Sequence, residues 1–494
     1  MSLRRRMFAG SLWCALDGWA SESANLAIFL VLARLLTPEE FGLVALAAVF
    51  TTVATDLGGY AITQVLIQKK DVRPGLCDSV FLLVLALALL SAAGFIALAP
   101  WIAALFEAPQ IADLLRLLSV AVLLNGIATV PLALLTRELR FAAIARRSLC
   151  MIAAGGAAGI GLAVAGYGAY ALVGQALAQA TVSVLLLFRA SSWRPGRRGS
   201  WQDLREIRAY ASGVVGNRLI ALCDERAPQF VLGLVIGPAA VGYYNISMRL
   251  TDILVRLFVV PINQVALPAI ARVQEDPARV RGIVATGIGA ASLISCPAFI
   301  GTIVIAPELL PLALGAQWLP AVPVLQLLAL RGIVWPVVMY GISLLYGLGQ
   351  PGRLLSINGI DLALNVALLC AAAPFGIIWV AAASSLRVVL VRWPLVGRAI
   401  GQAIGVGIDW QARLMVPALL SAAAMAAGLM ALRAYVLPDA DPDVVLLALV
   451  GLGLLLYPLF VVIVNPGVIG SVQKLLSSLR QPEGEQAATT PAGG

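Results

Sequence analysis

Asn245, Arg249, Asp252 and Arg256 recur at i, i+4, i+7 and i+11 in a stretch otherwise built of Ile, Leu, Val and Phe. That spacing puts all four on one face of an α-helix. A guanidinium stays charged and donates several hydrogen bonds from a planar fork, so arginines on an apolar helix suit an anion, phosphate above all. The same row has a second reading: Arg249 and Asp252, at i and i+3, can neutralise each other and hold two helices in register. The chain has no histidine, and Cys14, Cys77, Cys150, Cys223, Cys296 and Cys370 are scattered without a CxxC pair. Neither a metal site, a disulfide framework nor a cofactor is expected.

More polar residues gather in other apolar segments. The first offers Asp17, Ser21, Glu22 and Asn25, and the second Thr52, Asp56, Tyr60 and Thr63. The seventh offers Asn217, Arg218, Asp224, Glu225 and Arg226. A charge near the middle of a bilayer costs roughly 2.5–3.5 kcal/mol on insertion scales, so several together demand pairing, a wet cavity, or both. Asp224-Glu225-Arg226, just before Pro228, also reads as a local structural cluster. Arg331 and Arg387 look isolated, while Arg34 and Arg392 lie near segment ends where a long side chain can snorkel.

The elements that carry these residues are transmembrane helices. Of 494 residues, 61% are hydrophobic and 12% charged, against about 25% charged in a soluble chain. Apolar runs of about 20 residues, the length that crosses a bilayer core, recur along the whole chain, and fourteen spans are expected. The seventh is placed at Tyr210–Val235, the eighth at Ala240–Leu267 and the twelfth at Gly376–Ile400. The net charge of +9 would suit nucleic acid, but Lys and Arg fall in alternate loops, as the positive-inside rule requires. Membrane lipids are therefore the expected partners, with no nucleic acid. Arg4, Arg5 and Arg6 precede a run to Leu36 that holds Asp17 and Glu22. This run is too long for a signal-peptide core and reads as an uncleaved first span. Both termini are expected in the cytoplasm. Arginine far outnumbers lysine, and Ala, Gly and Leu abound; that points to a GC-rich bacterial genome and a bacterial cytoplasmic (inner) membrane.

The chain reads as two matched halves. Leu35, Thr37, Pro38, Phe41 and Gly42 fall opposite Val235, Gly237, Pro238, Val241 and Gly242, and Thr51, Thr52 and Asp56 opposite Thr251, Asp252 and Arg256. Ala99-Pro100 matches Ala306-Pro307, and Tyr167-Gly168 matches Phe375-Gly376. The expected class is all-α: a six-helix lobe over 1–190, a cytoplasmic linker over 191–209 and a second six-helix lobe over 210–400. Two further spans follow over 414–464, then a disordered tail over 481–494. Part of the linker, Trp201 to Tyr210, reads as a short amphipathic segment on the membrane surface. A parallel repeat of this kind implies a cavity between the lobes, with a binding site near the bilayer midplane.

ARLLTPEEFGLVALAAVFTTVATDLG, followed by VLIQKKD, resembles the N-terminal signature of polysaccharide flippases. These are the oligosaccharide exporters of the multidrug/oligosaccharidyl-lipid/polysaccharide superfamily. LGLVIGPAAVGYYNISMRL, leading to LPAIARVQED, is similar to the same family's second unit. The resemblance runs from about Arg34 to Arg398. It implies an alternating-access fold with two lobes around a central cavity. It also implies the flipping of an undecaprenyl-pyrophosphate-linked sugar repeat unit, with polysaccharide polymerase and chain-length machinery as candidate partners. Where it leads one to expect an acidic residue a few positions before Gly233, this chain has Pro228-Gln229, with Asp224 and Glu225 further back.

For such an anionic, hydrophilic cargo the candidate substrate-binding residues are Arg249, Arg218 and Arg256, with Asn245 on the same stripe and Arg34 at the exit side. Asp17, Glu22, Asp56, Asp252 and Asp224 are candidates for ion coupling or for gating pairs with the arginines. A multidrug or cation antiporter of the same superfamily would favour a cavity lined by carboxylates, whereas here arginines match the acids. A flippase for the peptidoglycan lipid precursor handles the same kind of carrier and stays open. A membrane polymerase or ligase would need a long extracytoplasmic loop with catalytic residues, and these loops are short; no enzyme is expected.

Overall fold

A computed structural model describes residues 3–68, 73–196, 199–438 and 440–464; the tail over 481–494 lies outside them. All the described regular structure is helical. The first half runs through α1 (Leu3–Leu35), α2 (Pro38–Gln68), α3 (Pro74–Leu105), α4 (Gln110–Arg137), α5 (Phe141–Val164) and α6 (Tyr170–Ala190). The second continues with α7 (Trp201–Val235), α8 (Pro238–Leu254), α9 (Val260–Asn263), α10 (Ala266–Arg272) and α11 (Pro277–Leu314). After them come α12 (Val322–Gly347), α13 (Pro351–Ala372), α14 (Ile377–Arg387), α15 (Trp393–Ile404), α16 (Ile408–Tyr435) and α17 (Pro442–Val464). Twelve stretches of the described residues are long and apolar enough to cross a membrane, and α1 and α7 stand where the first and seventh spans were expected. Leu90, Leu447, Leu454 and Leu455 are 72–74% exposed, which suits lipid and not water. The protein is a multi-pass membrane protein.

Three boundaries differ from the expectation. α7 begins at Trp201, inside the expected linker, because Ser200 caps it by accepting from the Gln202 N–H. The eighth span is not one apolar helix: α8 passes at Val255–Val259 into a π-helical turn, then α9 and α10. A second π-helical turn, Val388–Arg392, joins α14 to α15. Such wide turns are rare insertions in α-helices; periodicity read at 3.6 residues per turn does not register them.

The chain forms two compact units: Met1–Arg249 with Leu310–Leu325 and Leu354–Arg387, and Leu250–Leu309 with Gln326–Arg353 and Val388–Gly494. In the first, Thr37 and Glu40 make a reciprocal capping box at the start of α2, each accepting the other's backbone N–H. Pro38 follows at the first helical position, where its missing N–H is harmless. The matching turn before α8 uses Gly237, at φ 112°, in place of a side-chain cap. Positions matched by the repeat then meet one another. A β-carbon on Gly42 would collide with the Pro238 carbonyl, and one on Gly242 with the Pro38 carbonyl. Only glycine lets the two backbones approach this closely. The reciprocity, i against j′ and j against i′, is that of an isologous contact.

The connection from α6 to α7 is docked. Trp193 packs edge-on against Phe81 with centroids 5.4 Å apart. The Gly196 N–H donates to Asp78 at 3.1 Å, and the Ser200 N–H donates to the Ser79 hydroxyl at 2.8 Å. In the second unit, α16 and α17 pack on α11 through Val304, Met425, Leu429, Val445 and Leu449. Tyr457 donates to the Leu293 carbonyl at 2.6 Å, and Arg433 pairs with buried Glu308 at 2.8 Å.

Candidate functional site

Asp224, Glu225 and Arg226 are consecutive, so on a helix with 3.6 residues per turn they point about 100° apart. The structure gives each a different partner. The Asp224 carboxylate accepts from Asn365 on α13 at 2.7 Å and pairs with Arg387 at 3.3 Å. Glu225 lies 3.4 Å from Arg218 on its own helix. The Arg226 guanidinium donates to the Gln229 side-chain oxygen at 3.2 Å, and Gln229 donates in turn to the Asn245 oxygen on α8 at 3.4 Å. Glu225 and Arg226 thus find partners on α7 itself, as a local cluster would, while Asp224 reaches α13 and α14.

The Arg387 cluster is the most deeply buried charge in this region. Arg387 also meets Asp361 at 2.5 Å; Asp361 is 0% exposed and Arg387 7%. Arg387, which looked isolated in sequence, therefore joins α7, α13 and α14 through two carboxylates. Its partners lie more than 20 residues away along the chain, where periodicity gives no signal. Arg331, the other seemingly isolated arginine, lies 3.7 Å from Asp252 in the second unit and donates to Thr251 at 3.4 Å.

Of the remaining candidates, Arg218 and Asp56 are brought together. They pair at 2.5 Å between α7 and α2, both partly exposed. Arg249 lies over the Phe29 ring of α1, 4.4 Å from its centroid, a cation–π contact. Arg256 is exposed in the π-helical turn Val255–Val259. Glu22 is half-buried on α1, and the side chain of Asp17 lies outside the described residues. Arg34 is occupied: its guanidinium donates to the Leu312 carbonyl and, at 2.9 Å, to that of Ala313, the last turn of α11. In return the Ala33 carbonyl of α1 and the Leu36 carbonyl just past its end accept from Gln317, and Ala33 also from Trp318, both in the 3-10 turn Ala316–Ala321 after α11. Each helix end has its orphan carbonyls satisfied by the other's side chains. Fully buried Trp318 stacks edge-on with Phe41 and Tyr243 at 5.6 and 6.0 Å.

One end of the first unit is thus closed by backbone contact and exchanged caps, while arginines and acids lie deeper along α7, α8 and α2. Comparison with known proteins fits this arrangement. The family described as Polysaccharide biosynthesis protein matches residues 31–323, and the chain belongs to that family. It is 28% identical to the succinoglycan biosynthesis transport protein ExoT of Rhizobium meliloti (strain 1021) over 339 residues, 68% of each chain. It is 24% identical to the lipopolysaccharide biosynthesis protein WzxC of Escherichia coli (strain K12) over 336 residues, again 68% of each. Among solved structures, the fold is similar to the lipid II flippase MurJ in an inward closed conformation. There the TM-score is 0.73 at 15% identity, over 93% of this chain and 99% of that one. An inward-facing multidrug resistance MATE family transporter of the MOP superfamily gives 0.60 at 17%, over 81% and 95%. At such identities the likeness speaks for the fold.

Proposed function

We propose that the protein is a flippase that moves undecaprenyl-pyrophosphate-linked oligosaccharide repeat units across a bacterial cytoplasmic membrane, for surface polysaccharide or exopolysaccharide. Both termini lie in the cytoplasm in this reading. The observation that carries it is the row of intramembrane guanidinium groups, Arg218, Arg226 and Arg249, on α7 and α8 in a chain of this family. A pyrophosphate-linked glycan needs cationic donors to replace its lost hydration, and arginine supplies them in fixed geometry.

Alternating access between two six-helix lobes supplies the path. The Gly42–Pro238 and Gly242–Pro38 crossing, with Arg34 and Trp318 around it, is the extracytoplasmic gate in its closed state. Opening separates backbones and frees the exchanged carbonyls, which water can then solvate. The carboxylates Asp56 and Asp224 are paired with arginines, which suits gating pairs better than a cavity that attracts drug cations. Polysaccharide polymerase and chain-length machinery would take the product.

The test is the pool of lipid-linked oligosaccharide in a strain lacking the gene. Completed repeat units held on the cytoplasmic leaflet, with surface polysaccharide lost, are expected. A normal pool with normal polysaccharide overturns the reading, and drug efflux becomes the assay to run.

A further inference from the structure

Arg226 differs from Arg218, Arg331 and Arg387 in what it touches. Arg218, Arg331 and Arg387 each have a carboxylate within 4.0 Å. Arg226 has one hydrogen-bond partner among the described residues, the neutral amide of Gln229; its Nε, like those of Arg218 and Arg387, is buried without an acceptor. It lies nine residues before the end of α7, about 14 Å along the helix axis, which is near the middle of a bilayer core of about 30 Å. An uncompensated cation at that depth is costly, and is retained where something else neutralises it.

The neighbours shape what that can be. Gln229, 3% exposed, accepts from Arg226 and donates to the Asn245 oxygen. The relay occupies one lone pair on each amide oxygen and leaves the Asn245 amino group without an acceptor among the described residues. What remains on offer is mostly donors, the guanidinium edge and the amide N–H groups, with no carboxylate bound to either among the described residues. The two acids nearest in sequence are engaged elsewhere, Asp224 with Arg387 and Glu225 with Arg218. Such a set rejects cations and suits an oxyanion with several acceptor lone pairs.

We infer that Arg226 and Asn245, oriented by Gln229, form a phosphate-binding site in the membrane interior, and that its ligand is the pyrophosphate of the lipid carrier. This rests on the flippase reading above. Arg226 and Asn245 contact the anion; Gln229 is a positioning residue, fixing the rotamer of both.

The full-length protein in detergent is titrated with radiolabelled undecaprenyl pyrophosphate, with undecaprenol and free inorganic pyrophosphate as competitors. Wild type binds the lipid pyrophosphate, and R226Q weakens binding about tenfold or more, the usual loss for a hydrogen bond to a charged group. Q229E gives Arg226 an internal carboxylate and weakens binding as strongly while keeping the helix contact. R226K retains the charge and loses the fork, so it falls between. Thermal midpoints within a few degrees of wild type establish that the variants are folded. Competition by inorganic pyrophosphate but not by undecaprenol assigns the recognition to the phosphates; competition by undecaprenol alone overturns the site. Equal affinity in wild type, R226Q and Q229E also overturns it and leaves the flippase reading standing. A wild type that binds no lipid pyrophosphate at all contradicts that reading and the site together.

Discussion

Arg387 and Arg226 are both guanidinium groups tied to the same short stretch of α7, and their surroundings are opposite. Arg387 is 7% exposed and meets two carboxylates, Asp361 and Asp224. Arg226, two positions along from Asp224, has only the Gln229 amide among the described residues. The difference lies in compensation, not in residue type. A buried cation enclosed by acids has little left to offer a ligand and serves to hold helices together. A cation bonded to an amide keeps its field and its spare donors. Sequence neighbours on a helix face different helices, so one triplet feeds both environments.

The comparison breaks most visibly at Asp361. Removing Asp361 takes away the fully buried carboxylate and leaves Arg387 only the longer Asp224 contact at 3.3 Å, so D361A should destabilise the protein by about 1.5–3 kcal/mol, the loss of a charge-assisted hydrogen bond. Thermal unfolding of the purified chain measures this, and a wild-type midpoint would remove Arg387 from the structural side. Arg34 is an intermediate case, with its fork spent on two carbonyls of α11. R34A should cost roughly 1–2 kcal/mol through unsatisfied helix-end carbonyls, read in the same unfolding experiment. The smallest effect on stability belongs to Arg226. R226Q should stay within about 0.5 kcal/mol of wild type or gain stability, because no pair is broken. A loss as large as that of D361A would mean that Arg226 is structural.

Much of the scaffold was legible beforehand. The composition and the loop charges indicated a polytopic helical protein, and the 200-residue offset between Pro38-Gly42 and Pro238-Gly242 marked positions that pack reciprocally. Glycines and prolines are informative because each constrains the backbone locally. The site was legible only in part. Asp56 and Arg218 stood out as charges in apolar helices, and they pair. Arg331 and Arg387 stood out too but looked solitary, since Asp252 and Asp361 reach them through tertiary packing. Arg226 was masked by its acidic neighbours in sequence, which the helical rotation turns away. Gln229 stood out only as the amide near where the resemblance leads one to expect an acid; its link between Arg226 and Asn245 depends on packing that the sequence does not display.

The most direct measurement is translocation by the purified full-length chain in proteoliposomes loaded on one leaflet with an undecaprenyl-pyrophosphate-linked oligosaccharide. Access of an impermeant glycosidase reports the leaflet. The account predicts protein-dependent appearance of glycan on the opposite leaflet, slowed about tenfold or more by R226Q, the size of effect expected from losing a charge-assisted hydrogen bond. Glycan that stays on its original leaflet with wild-type protein present, or crosses equally fast with R226Q, would contradict it.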